Sequence, residues 1–264
     1  MFGCGKNQVR PDAGEIAYGL HETQRFDLYA PKRNSSGLVV LIHGGGWHQG
    51  SRQDTLWLVP KFLSQGYSVA TLGYRLFAQA PAPAAAEDVR EGLAQIRRIA
   101  PAHGVDLKRT AIIGFSAGAH LALLSVLAPT ERVRGPRIPA AAIVSFWGIT
   151  DVEDLVTGPN RREFAMRWIG QGNYAEKLAR DLSPVAYIPP EHTALLAIHS
   201  IHDPVVPFPQ SERLVANWRT AGRHAELLQL SHEGHAPPRM DYAPLLDRVY
   251  QFLAGTFNRT GASL

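Results

Sequence analysis

The stretch TAIIGFSAGAHLALLSVLA, residues 110–128, decides the fold of this 264-residue chain. Its first part is largely apolar, as in a strand buried on both faces, and its second part is an Ala- and Leu-rich run typical of a buried helix. Between them, Gly114-Phe115-Ser116-Ala117-Gly118 fits the pattern G-x-S-x-G. Small residues around Ser116 permit a turn from strand to helix so sharp that the serine hydroxyl stands clear of the backbone. The stretch therefore predicts a nucleophilic serine, with a helix N-cap as its alternative role.

Outward from this stretch, short β-rich runs alternate with helical runs, which predicts an α/β fold with a mostly parallel central sheet of about eight strands and helices on both faces. The length suits one domain, residues 1–264, with a small inserted cap at residues 152–192. The cap lies between Trp147 and Ala194, where about 45 residues lack a clean alternation. The predicted strands are residues 15–20, 24–30, 38–43, 67–72, 110–115, 140–146, 194–200 and 225–230. The predicted helices are residues 55–65, 84–100, 116–128, 208–221 and 242–257.

A second motif, His43-Gly44-Gly45-Gly46-Trp47, follows the predicted strand at residues 38–43. Successive glycines let the backbone adopt conformations closed to other residues and turn its N–H groups toward a ligand. Converging N–H groups stabilise the oxyanion of an acyl-transfer reaction. The motif therefore favours an oxyanion hole, with a flexible glycine turn as the alternative.

Two further side chains complete a candidate set for nucleophilic catalysis. Asp203 follows the strand predicted at 194–200, and His235 follows the strand predicted at 225–230, so the chain order is Ser, Asp, His. Parallel strands bring such residues to one edge of the sheet, where an imidazole could accept the Ser116 proton and a carboxylate could hold the imidazole. Asp151 is the competing acid and His232 the competing base.

These motifs resemble the α/β-hydrolase superfamily, in particular its HGGG-containing esterases. Tyr74-Arg75-Leu76, Ser183-Pro184 and the turn at residues 203–207 are also similar to the compact feruloyl/acetylxylan-esterase-like (BD-FAE) group, and the resemblance runs from residue 18 to 252. It implies a serine carboxylesterase that acts through an acyl-enzyme on small or short-chain esters, feruloyl and acetyl esters among them, without a cofactor. It further implies an oxyanion hole from the N–H groups of Gly45, Gly46 and Ala117.

Other functions use the same residues. H-G-G-x-W also resembles kynurenine formamidase, so an arylformamidase or amidase with the same triad is an alternative. A catalytically silent hydrolase fold that binds a ligand is the alternative from another class.

The aromatic residues beside the motifs or in the cap are candidate walls of the substrate pocket: Trp47, Phe115, Trp147 and Trp168. The arginines at 161, 162 and 167 are either solvated cap surface or contacts for an anionic substrate.

Composition excludes several classes. The net charge of +4 comes from scattered basic residues, which argues against nucleic-acid binding. Cys4 is the single cysteine, so no internal disulfide or cysteine-based metal site is expected, and His232-Glu233-Gly234-His235 is one residue short of the zinc motif H-E-x-x-H. No apolar run approaches the roughly 18 residues of a membrane span.

The sequence leaves the compartment and the oligomeric state open. Gly3-Cys4 resembles the end of a lipoprotein signal, so the protein could be cytoplasmic or exported.

Overall fold

A computed structural model describes residues 9–31, 35–238 and 242–261. Gly3 and Cys4, which carry the lipoprotein-like signal, lie outside the described residues. No helix in the described part of the chain combines the length and the apolar character needed to cross a bilayer.

Eight strands of the described chain form one sheet in the order β1-β2-β4-β3-β5-β6-β7-β8. The pairs β1–β2 and β2–β4 are antiparallel and the other five pairs are parallel. The prediction of a mostly parallel eight-stranded sheet is therefore confirmed. The strands are β1 (Ala13–Ala17), β2 (Arg25–Tyr29), β3 (Leu38–Ile42), β4 (Ser68–Leu72), β5 (Thr110–Phe115), β6 (Ala142–Phe146), β7 (Ala194–His202) and β8 (Ala225–Glu233).

Helices cover both faces of the sheet. Alternate side chains of β3 divide between two apolar cores, as the two-residue period of a strand requires. Leu38, Val40 and Ile42 join the core that holds the buried stripes of α2, α3 and α7, whereas Val39 and Leu41 join the core under α1 and α8. The helices are α1 (Val59–Ser64), α2 (Ala84–Ile99), α3 (Ala117–Leu127), α4 (Val152–Val156), α5 (Glu163–Ile169), α6 (Ala175–Asp181), α7 (Pro209–Thr220) and α8 (Tyr242–Gly261).

Several boundaries differ from the prediction. The first strand ends at Ala17 rather than at residue 20, because the chain turns back through residues 21–24, where the Gln24 N–H donates to the His21 carbonyl. The helix predicted at 55–65 is a 3-10 helix over Arg52–Leu58 and becomes α-helical only at Val59. Pro60, which lacks an N–H, fits only the first turn of an α-helix. β7 and β8 are longer than predicted and pair as far as His202 and Glu233.

The connection from β6 to β7 is the longest irregular part of the molecule. Residues 152–192, which we call the β6–β7 excursion, hold the short helices α4, α5 and α6 and a 3-10 turn at Pro184–Ala186. Its first helix is capped by Asp151, whose carboxylate accepts the N–H of Asp154 at 2.9 Å. Because each helix is short, the excursion depends on packing against the rest of the molecule for its stability.

Candidate active site

The turn between β5 and α3 holds Ser116 in a strained conformation. Its φ of 52° and ψ of −117° lie outside the regions that L-residues normally occupy. Two glycines make this possible: a Cβ at Gly114 would lie 2.4 Å from the carbonyl oxygen of Gly118, and a Cβ at Gly118 would lie 2.2 Å from the carbonyl oxygen of His43. Ser116 precedes α3 but makes no capping hydrogen bond with its side chain. Its hydroxyl is thus available for another partner.

That partner is His235. The Ser116 hydroxyl lies 2.9 Å from His235 Nε2, and His235 Nδ1 lies 2.7 Å from Asp203 Oδ2. β5, β7 and β8 end at the same edge of the parallel sheet, and the three side chains come from the loops that follow them. The imidazole can therefore accept the hydroxyl proton at Nε2 while its Nδ1–H donates to the carboxylate.

Asp203 is held as a buried anion. Its side chain is 0% exposed, and Oδ1 accepts the N–H groups of Val205 at 2.8 Å and Val206 at 3.0 Å. Burial opposes ionisation, but hydrogen bonds from His199 and His235, the charge of His235 and the Val206 N–H outweigh it. Together they hold the pKa of Asp203 well below its ordinary range. Sequence reasoning missed His199, although it lies on β7 only four residues before Asp203.

The glycine loop after β3 lies directly against the Ser116 turn. A Cβ at Gly44 would lie 2.8 Å from the carbonyl oxygen of Phe115, so only glycine permits this approach. Gly45 and Gly46 have φ values of 111° and 57°, which glycine adopts without strain. In the hydrogen-bond network of the described residues, the N–H groups of Gly45, Gly46 and Ala117 have no acceptor. N–H groups without a protein acceptor are available to a ligand, as the donors of an oxyanion hole must be.

The buried side chain of His43 packs against Tyr74 at the start of this loop. Its ring stacks on Tyr74 at 4.2 Å, and the Tyr74 hydroxyl donates to the His43 carbonyl at 3.0 Å. Burial lowers the pKa of His43 from 6.5 to about 4, against smaller opposing effects of the Gly44 carbonyl and Asp54. The imidazole is therefore neutral at neutral pH and acts as a packed support rather than as a charge.

The competing acid and base lie elsewhere. The Asp151 carboxylate caps α4 and forms an ion pair with Arg213 at 3.0 Å. His232 belongs to β8 because that strand is longer than predicted, and its carbonyl accepts the Ser200 hydroxyl. In the hydrogen-bond network of the described chain, neither side chain contacts Ser116 or Asp203, so the structure favours Asp203 and His235 over them.

A cavity of about 330 Å³ opens beside the Ser116 turn. Two of the four predicted aromatic walls, Phe115 and Trp147, line it, and the Trp147 ring lies edge-on to His235 at 6.2 Å. Trp57 and Tyr242 are walls that sequence reasoning missed, because they follow no recognisable motif. The remaining lining residues are His43, Gly44, Asp54, Thr55, Ala236 and Pro237.

The prediction that Trp47 and Trp168 line the substrate pocket is wrong for this cavity. Both side chains are buried, at 0% and 1% exposed, and their rings stack on each other at 4.0 Å. His120 of α3 packs edge-on against both rings, at 5.1 Å and 5.3 Å. The two tryptophans thus join the glycine loop to the β6–β7 excursion through the core.

The arginines of the excursion have protein partners. Arg162 donates from Nε to the carbonyl of Val205 at 3.0 Å and from a terminal nitrogen to the carbonyl of Pro204 at 3.2 Å. Arg167 lies over the ring of Phe77 at 5.3 Å, and Arg161 contacts the sulfur of Met166 at 3.4 Å. Arg162 therefore braces the loop that carries Asp203, a role that its position in the sequence did not reveal.

Comparison with known proteins agrees with this architecture. Esterase LipQ of Mycobacterium tuberculosis is 27% identical over 252 residues, covering 89% of this chain and 59% of LipQ. Kynurenine formamidase of Danio rerio is 28% identical over 147 residues, covering 54% of this chain and 48% of that protein. The chain spans 57–60% of the length of the first curated relatives it matches.

Among solved structures, a truncated form of a carbohydrate esterase from gut microbiota has a TM-score of 0.82 with this chain, covering 97% of this chain and 100% of that one at 20% identity. With the strand order above, this likeness confirms the α/β-hydrolase fold. The family model of BD-FAE matches residues 26–218, from β2 to α7, and so includes Ser116, Asp203 and both glycine motifs. The chain belongs to the BD-FAE family.

Proposed function

We propose that the protein is a serine hydrolase of carboxylic esters that works through an acyl-enzyme on Ser116. One observation carries the proposal: His235 bridges the Ser116 hydroxyl at 2.9 Å and the Asp203 carboxylate at 2.7 Å. Family membership and the likeness to Esterase LipQ support the same reaction class.

In the first half-reaction, the Ser116 oxygen attacks the ester carbonyl carbon while His235 Nε2 takes the hydroxyl proton. The carbonyl π electrons move onto oxygen, where the N–H groups of Gly45, Gly46 and Ala117 stabilise the negative charge. When the tetrahedral intermediate collapses, the bond to the alcohol oxygen breaks and His235 protonates that oxygen. Asp203 stays ionised throughout and stabilises the imidazolium.

In the second half-reaction, water takes the place of the serine hydroxyl. His235 removes a proton from water, the resulting oxygen attacks the acyl carbon, and the same N–H groups hold the second oxyanion. The bond to Ser116 then breaks, the proton returns to the serine oxygen, and the carboxylic acid leaves. Loss of one oxyanion donor costs about 10²–10³ in kcat in comparable enzymes.

The cavity suggests the size of the substrate. Its volume of about 330 Å³ is at the small end of ligand pockets, and aromatic rings of Phe115, Trp147 and Trp57 line it. We therefore propose small-molecule esters with a short acyl chain or a single aromatic ring, which includes acetyl and feruloyl esters. The named carbohydrate-esterase neighbour is compatible with either group.

We also propose that the β6–β7 excursion acts as a small cap within a single domain. Arg162 donates a hydrogen bond to the loop that carries Asp203, and Trp168 packs on Trp47, the last residue of the glycine motif. The excursion therefore contacts two of the loops that form the site. These contacts support a cover that is firmly attached rather than an independent domain.

The test is the Ser116→Ala variant, measured with p-nitrophenyl acetate and with a fluorophosphonate that labels activated serines. We expect a loss of at least about 10⁴ in kcat/KM together with loss of labelling. Ser125→Ala is the matched control, because Ser125 lies in α3 and its hydroxyl donates only to the Ala122 carbonyl. Ester turnover by Ser116→Ala at the wild-type rate would overturn the proposal.

The likeness to kynurenine formamidase favours one second candidate, hydrolysis of an aryl formamide by the same residues. A comparison of kcat/KM for N-formylkynurenine and p-nitrophenyl acetate separates the two. We expect the ester to be the better substrate. A protein that neither reacts with fluorophosphonate nor turns over either substrate would instead be a silent ligand-binding member of the fold.

A further inference from the structure

One oxygen atom of the Asp203 carboxylate accepts hydrogen bonds from two imidazoles. Oδ2 lies 2.7 Å from His235 Nδ1 and 3.0 Å from His199 Nε2, while Oδ1 accepts the two backbone N–H groups of Val205 and Val206. A triad needs only one of these imidazoles. The second, His199, is 0% exposed and cannot reach a substrate, so its presence calls for a role that acts through Asp203.

The proton positions on His199 follow from its neighbours. Its Nε2 faces two acceptors, Asp203 Oδ2 and the Val206 carbonyl at 3.1 Å, so Nε2 carries a hydrogen. Its Nδ1 lies 2.7 Å from the hydroxyl of Ser211 on α7, which donates to it. The ring of Phe208 packs edge-on at 5.8 Å. The Ser211 hydroxyl thus selects one tautomer of His199 from α7.

We propose that His199 is a positioning residue that holds the Asp203 carboxylate toward His235, and that Ser211 fixes the tautomer with which it does so; this inference rests on the proposed ester hydrolysis. Rotation of the carboxylate would break its bonds to His199, Val205 and Val206 together. The His199 N–H also draws charge from Oδ2 and so limits how strongly that oxygen stabilises a protonated His235. His199 therefore sets both the geometry and the basicity of the pair.

Among the described residues, His199 and His235 are the titratable side chains within hydrogen-bond distance of the Asp203 carboxylate. His199 comes from β7 and His235 from the loop after β8. Arg162, at the start of α5, reaches the carbonyls of Pro204 and Val205 rather than the carboxylate itself. Charged side chains on α7 and α4 have other partners. Arg213 of α7 pairs with Asp151, and the Asp154 carboxylate accepts a hydrogen bond from Gln210.

The first test compares His199→Leu, which removes the donor, with His199→Gln, whose amide nitrogen can occupy the place of Nε2. We expect His199→Leu to lower kcat on p-nitrophenyl acetate by about 10–100-fold with KM within about threefold, and His199→Gln to recover most of that loss. In the Leu variant the acid side of the kcat/KM profile should move to higher pH by about 0.5, because Oδ2 then stabilises the protonated His235 more strongly.

The second test uses Ser211→Ala, which keeps the packing and removes one hydroxyl. We expect a loss of about threefold in kcat, and Ser211→Thr should retain activity because it keeps the hydroxyl. In a His199→Leu background, Ser211→Ala should have no further effect, since it acts only through His199. These variants keep the inference testable if His199→Leu fails to fold.

His120→Leu is the matched control, because His120 is also fully buried and its Nε2 donates to the Leu182 carbonyl at 2.7 Å. It should lose stability without moving the acid side of the pH profile. The inference is overturned if His199→Leu keeps the wild-type kcat and profile, or if His120→Leu moves the profile equally. If Ser116→Ala is inactive while the His199 variants behave as wild type, only this inference fails and the proposed function stands.

Discussion

The Ser116 turn and the β6–β7 excursion meet at the same site but are specified in different ways. In the turn, the conformation follows from residues within a few positions of one another, because a side chain at Gly114 would collide with the backbone of Gly118 and Ala119. The excursion docks through contacts between distant parts of the chain, such as Trp168 on Trp47 and Arg162 on the Val205 carbonyl. The reacting group is thus fixed by local steric rules, whereas its cover is fixed by packing.

The largest effect is expected from removing the packing that docks the excursion. Trp168→Ala deletes a ring that is 1% exposed and stacked on Trp47, so it should lower the free energy of unfolding by about 3–5 kcal/mol. Urea unfolding measures this. Trp168→Phe, which keeps a stacked ring, should cost less than about 1.5 kcal/mol. Equal losses in the two variants would mean that the stack does not hold the excursion in place.

The next effect concerns the turn itself. Gly118→Ala would place a Cβ 2.2 Å from the His43 carbonyl oxygen and 2.4 Å from that of Ile42. Because backbone cannot move aside as a side chain can, we expect a loss of about 3 kcal/mol in unfolding free energy and a large fall in ester hydrolysis.

Gly104→Ala is the control for this prediction. Gly104 has a positive φ of 74°, unlike Gly118 in α3, but nothing lies within 4 Å of an added Cβ. It should cost only the conformational strain of about 1–2 kcal/mol and leave kcat unchanged. A Gly118→Ala protein as stable and active as Gly104→Ala would show that the close approach of α3 to β3 is not required.

A buried histidine packs next to each region and makes the stability of the protein depend on pH. Burial lowers the pKa of His43 under the glycine loop and of His120 beside Trp168 from 6.5 to about 4; for His120 the Leu182 carbonyl opposes this weakly. Below pH 6.5 the unfolded chain binds these protons while the folded protein does not, so stability is present above that pH and falls as the pH drops toward 4.

We expect each of these histidines to contribute a loss of about 2 kcal/mol between pH 7 and about pH 4.5. Urea unfolding at the two pH values measures the sum. His120→Leu should make the fall shallower by the share of one histidine, although it is less stable at pH 7. An unchanged slope would contradict the assignment of His120 as a buried neutral group.

The difference between the two regions also explains what the sequence could predict. The sequence predicts that Ser116, Asp203 and His235 meet, because each follows a strand of a parallel sheet and such strands end at one edge. In the structure the three side chains lie within hydrogen-bond distance of one another in series. Local pattern could not show that Trp47 and Trp168 face each other rather than a substrate. An aromatic residue beside a motif has the same sequence signature in a pocket wall as in a core.

His199 and Arg162 were missed for a related reason. Their partners are a carboxylate and backbone carbonyls whose positions depend on how β7 ends, and β7 runs two residues beyond its predicted end. A histidine within an apolar strand has the sequence pattern of an ordinary residue of the protein core. Only the folded arrangement shows that its Nε2 points along the strand to Asp203.

The smallest expected effect tests whether the packed region influences the turn at all. Arg162→Lys keeps the charge but loses the planar fork that reaches the carbonyls of Pro204 and Val205. We expect a loss of about 1 kcal/mol in unfolding free energy and a decrease of about threefold in kcat, because the Val205 N–H holds Asp203 in place. Arg180→Lys, whose guanidinium pairs only with exposed Glu153 and Glu176, is the control and should change neither. If Arg162→Lys lowers stability while kcat is unchanged, the excursion is only a passive cover; if kcat falls as well, the packed region helps to position the acid of the site.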